Sequence, residues 1–371
     1  MSYNWATMKI AITHDYLTEY GGAEMVLWEL LKTFPEADLY TPILRPTKKQ
    51  RAFWNEVSRH KVYSTILSGL PIPKVAFKLL LPVQIRFFKR LDLSKYDAVI
   101  SSSAGFAKFI NTENKTKHIA YIHTPSRFLW GYETSVFHKI PGLVRLIFSP
   151  ILSGWRKQDR KFAQKADLVV ANSKNIQNKI KTVYQRDSQL IYPPVGIDDL
   201  LGLSKQSKQD YFLTIGRLYE YKRVDLIVEA FSQLDEKLVV IGDGPQRKNL
   251  EEISGKNVEF RGFVDEDVKI KLLQKAKGFV FAAEEDFGIV MVEALAAGTP
   301  VIAYHKGGAS EIVEDGINGL LFQEQNRDSI KTSLEKFREQ KFDQEKVKNS
   351  ARKFSSEKFR SRIKEIVEDL S

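Results

Sequence analysis

Two carboxylates separated by seven residues, Glu285 and Glu293, bracket an apolar run inside the stretch Gly278 to Phe322. Phe287 to Ala297 carries apolar residues at helical spacing and stops at Gly298, so it predicts a helix. Gly278 to Ala282 before it is short, apolar and β-prone, and Pro300 to Ala303 after it begins another strand. Strand, acidic loop and helix in that order place the backbone N–H groups of Phe287, Gly288, Ile289 and Val290 in the first helical turn. A helix N-terminus of this kind favours an anion such as phosphate. Carboxylates beside it accept hydrogen bonds from sugar hydroxyls. Phosphate on the amides, with hydroxyls on Glu285 and Glu293, is the layout a nucleotide-sugar needs. The competing reading of the two acids is helix-dipole pairing or simple solvation.

Other residues could serve the same chemistry. In YFLTIGRLYEYKRVDLIVEAF, Arg217 ends a predicted strand and Lys222 opens a predicted helix. Two cations at the mouth of a strand–helix turn suit a pyrophosphate, although loop-mouth charges are usually solvated. Near the start, MKIAIT reads as a parallel-sheet strand, followed by a loop with Gly21-Gly22 and a helix from Glu24. Gly allows close backbone approach to a phosphate, but this pair is not a dinucleotide fingerprint and equally makes a tight turn. His118 to Ile122 is a strand ending in His123. A His at the carboxyl end of a parallel strand faces the crevice where open α/β sheets bind ligands. Taken alone it is more often a structural hydrogen-bonder.

Three motifs carry a family resemblance. They are Glu285–seven residues–Glu293 with Phe287-Gly288 and EALAAGTPV, the GR pair followed by Lys222, and HTPSRFLW from His123 to Trp130. Together they resemble the retaining glycosyltransferases of family 4, and the resemblance extends over nearly the whole chain. It implies an α/β protein of the GT-B fold, with two doubly wound Rossmann-like domains facing a deep inter-domain cleft. Residues 1–195 would form the acceptor-side domain and 196–354 the donor-binding domain, with a last helix, about 355–371, packing back on the first. The resemblance gives Arg217 and Lys222 the diphosphate, Glu285 and His123 the donor sugar, and Glu293 the ribose hydroxyls. It sets Gly22 beside the donor phosphates and puts Phe263 at an edge that helps hold the base. HTPSRFLW and GRLYEYKRVD resemble enzymes using GDP-mannose, with a UDP-sugar as the alternative donor. The implied acceptor is a glycan or polyprenyl-linked sugar in cell-surface glycan assembly. Cationic side chains and helix dipoles replace a divalent ion in such enzymes, so no metal or cofactor is expected.

Composition sets the remaining bounds. The chain has 371 residues, which predicts two domains, and is 43% hydrophobic and 28% charged. Cys is absent and the six His show no metal-ligand spacing, which argues against disulfides and a zinc site. Net charge is +11. Without a nucleic-acid motif, that charge fits a phosphate-bearing substrate and an anionic membrane better than nucleic acid. Residues 67–91 mix long apolar side chains with Lys, Arg and Pro. They are too interrupted to span a bilayer but suit its interface, or else the protein's own core. The first residues lack a signal core, which predicts a cytoplasmic protein; the basic stretch 67–91 and the resemblance add, as an alternative, peripheral attachment to the inner face of the plasma membrane. Two other classes remain as readings: a UDP-sugar epimerase of the same fold, and a non-catalytic basic protein binding membrane or nucleic acid.

Overall fold

The first strand, β1 (Ile10–His14), shows the rule that shapes the chain. Side chains alternate across a strand. Ile10 and Ile12 enter one apolar cluster while Ala11 enters another. Both faces of the sheet are covered, as a parallel sheet requires. The computed structural model describes residues 8–47, 50–70, 80–112, 115–131, 142–204 and 206–370, with the backbone alone at 128 and 142–149. By internal contacts it divides into Met1–Pro194 with Glu357–Ser371, and Val195–Ser356.

The first unit carries β1, β2 (Asp38–Tyr40), β3 (Val62–Tyr63), β4 (Ala98–Ser103), β5 (Lys117–Ile122), β6 (Leu168–Ala171) and β7 (Gln189–Leu190). Their order is β3-β2-β1-β4-β5-β6-β7, with parallel pairing throughout. The chain winds one way to β3 and the other way from β4, so the order reverses between β1 and β4. The second unit repeats this plan with β8 (Phe212–Ile215), β9 (Leu238–Ile241), β10 (Val258–Gly262), β11 (Gly278–Phe281), β12 (Val301–Tyr304) and β13 (Gly319–Phe322). Its order is β10-β9-β8-β11-β12-β13, again parallel, with the reversal between β8 and β11. Open α/β sheets bind ligands beyond the carboxyl ends of their strands at such reversals.

The last helix, Ser356–Asp369, is amphipathic, and its apolar side belongs to the first unit. Phe359, Ile363, Ile366 and Val367 are buried in one cluster with Ile10, Ile12, Leu30 and Tyr121. Arg360 adds an ion pair to Glu29 at 2.6 Å.

The stretch Asp198–Asp210, whose Ser, Lys and Gln content predicts a polar linker, holds a short helix, Asp198–Gly202. Val195, Ile197 and Leu200 are buried there, and those apolar side chains pin a segment whose average composition is polar. In the basic stretch 67–91, residues 71–79 lie outside the described residues. The described helix Leu81–Lys89 buries Phe88 in a cluster with Tyr96, Val99 and Phe106. That part of the stretch turns its apolar side to the protein's own core. No helix among the described residues is long and apolar enough to cross a membrane.

Phe359→Ala should cost about 3–5 kcal/mol, the usual range for removing a buried Phe. Denaturant unfolding will show it as a lower midpoint. An unchanged midpoint would mean that the last helix contributes nothing to the core.

Candidate functional site

In the second unit, β8 stops at Ile215, and the chain runs through Arg217 to a 3₁₀ turn, Glu220–Lys222, before the helix Val224–Phe231. Lys222 therefore ends the turn ahead of the helix and does not open it. Arg223 separates the two at φ 53°, a left-handed conformation that breaks the helical run. Lys222 Nζ pairs with the Glu285 carboxylate from the loop after β11, and both side chains are mostly buried. This ion pair spans the two strands at which the order reverses. Arg217 stays exposed, donating to the Tyr221 hydroxyl at 3.1 Å and lying 5.6 Å from the Tyr219 ring. Neighbouring strand ends lace its loop in place: Leu218 N–H donates to the Asp243 carbonyl at 2.9 Å and Gly242 N–H to the Gly262 carbonyl at 2.8 Å.

The acidic loop is held from the other side. Gly308 N–H donates to the Glu285 carbonyl at 2.8 Å. Gly307 has φ +62°, and a Cβ there would stand 2.0 Å from the Glu285 carbonyl oxygen. The close approach of the HKGGA turn is thus to the acidic loop. The helix expected from Phe287 runs from Ile289 to Ala296, with Gly288 as its cap at φ +104°. A left-handed residue cannot continue a helix, so Phe287 lies outside the first turn. Its ring is buried, edge-on to Phe354 at 5.4 Å. Ile289 and Val290 open the helix, and their amides find no helical carbonyl.

Glu293 sits in the second turn, and both its oxygens lie 3.1 Å from Lys269 Nζ. Burial pushes the Glu293 carboxyl above the usual range, against the pull of Lys269. Burial acts to lower Lys269, but Glu293 and Glu266 outweigh it and the ammonium is raised. Lys269 comes from the helix Glu266–Lys275, and nothing in its sequence context marks it. Phe263, just beyond β10, is 75% exposed. Its open ring contrasts with the buried Phe287.

In the first unit, Gly21 caps and Gly22 opens the helix Gly22–Thr33. Gly21 has φ −152°, extended backbone open to any residue. His123 follows β5 and is buried, with Nε2 2.8 Å from Ser102 Oγ. Its backbone is fixed by Ser103, which accepts from its N–H at 2.9 Å, and by Asn172, which donates to its carbonyl at 3.1 Å. Burial drives the His123 imidazole down to about 3, and nearby His14 adds to the effect. Burial drives His118 down to about 3 as well, with Asp167 opposing. Trp130, the last residue of HTPSRFLW, anchors the structure. Its Nε1 donates to Asp159 at 2.7 Å, and Asp159 also pairs with fully buried Lys108 at 2.7 Å.

The structure thus joins Lys222 to Glu285 and keeps Arg217 beside them through Tyr221. It gives Glu293 to Lys269 and leaves Phe263 open. Sequence reasoning passed over His14 and Asp15. Asp15 accepts four backbone N–H groups from Ala104, Gly105, Phe106 and Ala107 at 2.6–2.8 Å, which shapes the loop after β4. The argument that singled out His123 applies equally to His14, which ends β1. Among the described residues no cluster of His, Asp and Glu has metal-binding geometry.

The two buried imidazoles set a pH dependence. An unfolded His titrates near 6.5, whereas both titrate at about 3 when folded. Below about pH 6.5 the unfolded chain takes up protons that the folded chain refuses. Stability is full above that value and falls toward pH 3, by at most about 1.4 kcal/mol per pH unit for each group. Denaturant midpoints across this window should fall with acid, and less steeply in His118→Gln. A flat profile would contradict the burial of the two rings.

Comparison with known proteins gives a consistent result. The model for Glycosyltransferase Family 4 matches residues 20–199, and that for Glycosyl transferases group 1 matches residues 202–354. An uncharacterized glycosyltransferase of Methanocaldococcus jannaschii is 25% identical over 352 residues, 86% of each chain. An N-acetylgalactosaminyltransferase of Campylobacter jejuni, named for a diphospho-undecaprenol substrate, is 30% identical over 194 residues. That match spans 46% of this chain and 52% of the relative, and another curated relative is spanned over 49% of its length. Among solved structures, Anabaena HepE in complex with UDP and glucose has a TM-score of 0.67 at 20% identity, covering 97% of this chain and 99% of that one.

Proposed function

This chain belongs to glycosyltransferase family 4, and we propose that it moves mannose from GDP-mannose to a lipid-linked or polysaccharide acceptor in cell-surface glycan assembly. It is a transferase with the GT-B fold. The observation that carries the proposal is the Lys222–Glu285 pair at the β8/β11 reversal, with Arg217 on the adjoining loop.

When a glycosyl bond to a diphosphate breaks, negative charge builds on the leaving phosphate. Lys222 and Arg217 are the cations proposed to meet that charge, with the amides of Ile289 and Val290 adding their dipoles. A diphosphate at this point competes with Glu285 for the Lys222 ammonium. Once released, the Glu285 carboxylate is an acceptor for sugar hydroxyls. Glu293 need not give up Lys269 to hold a ribose, because an ionised carboxylate has about four acceptor sites. Phe263 offers a ring face to the base. We assign these roles without a metal ion. In the first unit, His123 is proposed to touch the transferred sugar. Held neutral by burial, it serves as a hydrogen-bond partner and does not supply a proton.

The GDP-mannose assignment rests on HTPSRFLW and GRLYEYKRVD. Trp130, the last residue of the first motif, donates to Asp159. A UDP-sugar is the second reading, favoured by the likeness of fold to HepE, which was solved with UDP and glucose. A polyprenyl-linked acceptor is supported by the undecaprenol in the name of the Campylobacter relative and by the net charge of +11, which suits an anionic membrane surface.

A panel of nucleotide-sugars, read by release of free nucleotide, tests the proposal. Selective turnover of GDP-mannose is expected, and Lys222→Ala should lose at least about 100-fold in rate while the protein stays folded, its melting temperature lowered only by the loss of the pair with Glu285. Selective turnover of a UDP-sugar would overturn the donor, and sugar isomerisation without any acceptor would point to an epimerase. Full activity in Lys222→Ala would sink the site.

A further inference from the structure

A line of polar groups crosses the buried reversal of the first unit. Glu24 Oε1 lies 3.7 Å from His14 Nε2. His14 Nδ1 lies 3.0 Å from Ser102 Oγ, which lies 2.8 Å from His123 Nε2. Four separate elements supply these groups: the helix Gly22–Thr33, β1, β4 and the loop after β5. His14 and Ser102 are direct register partners on the strands at which the order reverses. Ser102 is fully buried, His14 is 2% exposed and His123 is 8% exposed. Gly21 leaves room for the acid, since a Cβ there would press within 3.2 Å of Glu24 Oε2.

The serine makes this line directional. A hydroxyl has one proton, so Ser102 donates to one ring and accepts from the other. The Glu24 carboxylate decides which. It only accepts, so of the two neutral His14 tautomers it favours the one that carries its proton on Nε2. His14 Nδ1 then carries a lone pair and accepts a hydrogen bond from the Ser102 hydroxyl. The Ser102 oxygen is left to accept, and His123 has to present Nε2–H to it. The lone pair of His123 falls on Nδ1. The reverse arrangement sets a bare His14 nitrogen against the Glu24 carboxylate in a buried site, where an unmet polar group is costly.

We propose that Glu24, His14 and Ser102 are positioning residues that fix His123 as its Nε2–H tautomer, so that Nδ1 accepts a hydrogen bond from a hydroxyl of the donor sugar. The proposal rests on reading His123 as a sugar contact. Burial holds the His123 ring neutral, so its tautomer, and not its charge, is what the neighbours control. Specificity follows from it: a lone pair at Nδ1 selects a sugar bearing a hydroxyl at that point over the corresponding deoxy sugar.

The test uses protein labelled with ¹⁵N at its six His, read by two-bond ¹H–¹⁵N correlation of the ring nitrogens, with His123 assigned through His123→Gln. The free enzyme should show His123 as the Nε2–H form alone. Glu24→Ala, three contacts away, should turn that signal into a tautomer mixture, as should Ser102→Ala, whereas Ser102→Thr should keep the single form. In turnover, Ser102→Ala should lose about 10- to 100-fold in kcat/KM, the scale of one lost oriented hydrogen bond, and Ser102→Thr should restore most of it. An Nδ1–H ring in the unaltered protein, or a His123 signal indifferent to Glu24→Ala, would overturn the proposal. The spectra need no donor, so they judge the tautomer line separately from the transferase reading, which stands or falls on turnover by the unaltered protein.

Discussion

Lys222 and Glu285 meet because the second sheet reverses its strand order between β8 and β11. Crossovers carry the chain from β8 outward to β10 and then, from β11, outward the other way. Only at the reversal do two loops leave adjacent strands without a crossover helix between them. A cation from one loop and an acid from the other can then pair at the strand mouth. The pair holds both side chains at the crevice and gives each an opposite charge where burial would otherwise penalise it. Under the proposed function the same pairing would set the terms of binding, since a diphosphate would have to win the ammonium from the carboxylate.

The first unit solves the same geometric problem with neutral groups. Its reversal lies between β1 and β4, and there His14 and Ser102 face each other with His123 one strand further on. Asp15, next to His14, ties down the loop after β4 through four backbone amides. The two reversals thus place complementary chemistry on the two units. One carries charge suited to a diphosphate. The other carries buried, uncharged hydrogen-bonding groups suited to hydroxyls.

Much of this was legible in the residues. Apolar runs of strand length alternating with helical periodicity identify a doubly wound α/β protein, because both sheet faces must be buried. The spacing of Glu285 and Glu293, and of Arg217 and Lys222, carries the family. Contacts between distant segments were not legible. Lys269 meets Glu293 from another helix, and no local pattern announces it. The helix start moved from Phe287 to Ile289 because Gly288 adopts a left-handed conformation, which helical periodicity does not register. Asp198–Gly202 was hidden by its polar composition, although three buried apolar side chains were enough to fix it. Trp130, part of the HTPSRFLW motif, also anchors Asp159, a contact between distant segments that the motif does not announce.

One competition decides the proposed chemistry, that of a diphosphate with Glu285 for Lys222. Calorimetric titration of GDP and UDP against the unaltered protein, Lys222→Ala and Glu285→Gln measures it directly. A nucleoside diphosphate carries the anion and the ribose without the transferred sugar, so it feels Lys222 while the hydroxyls proposed for Glu285 are missing. The account predicts opposite signs: weaker binding in Lys222→Ala and tighter binding in Glu285→Gln, where the ammonium is released and a negative charge removed. Weaker binding in both variants, or in neither, would contradict it.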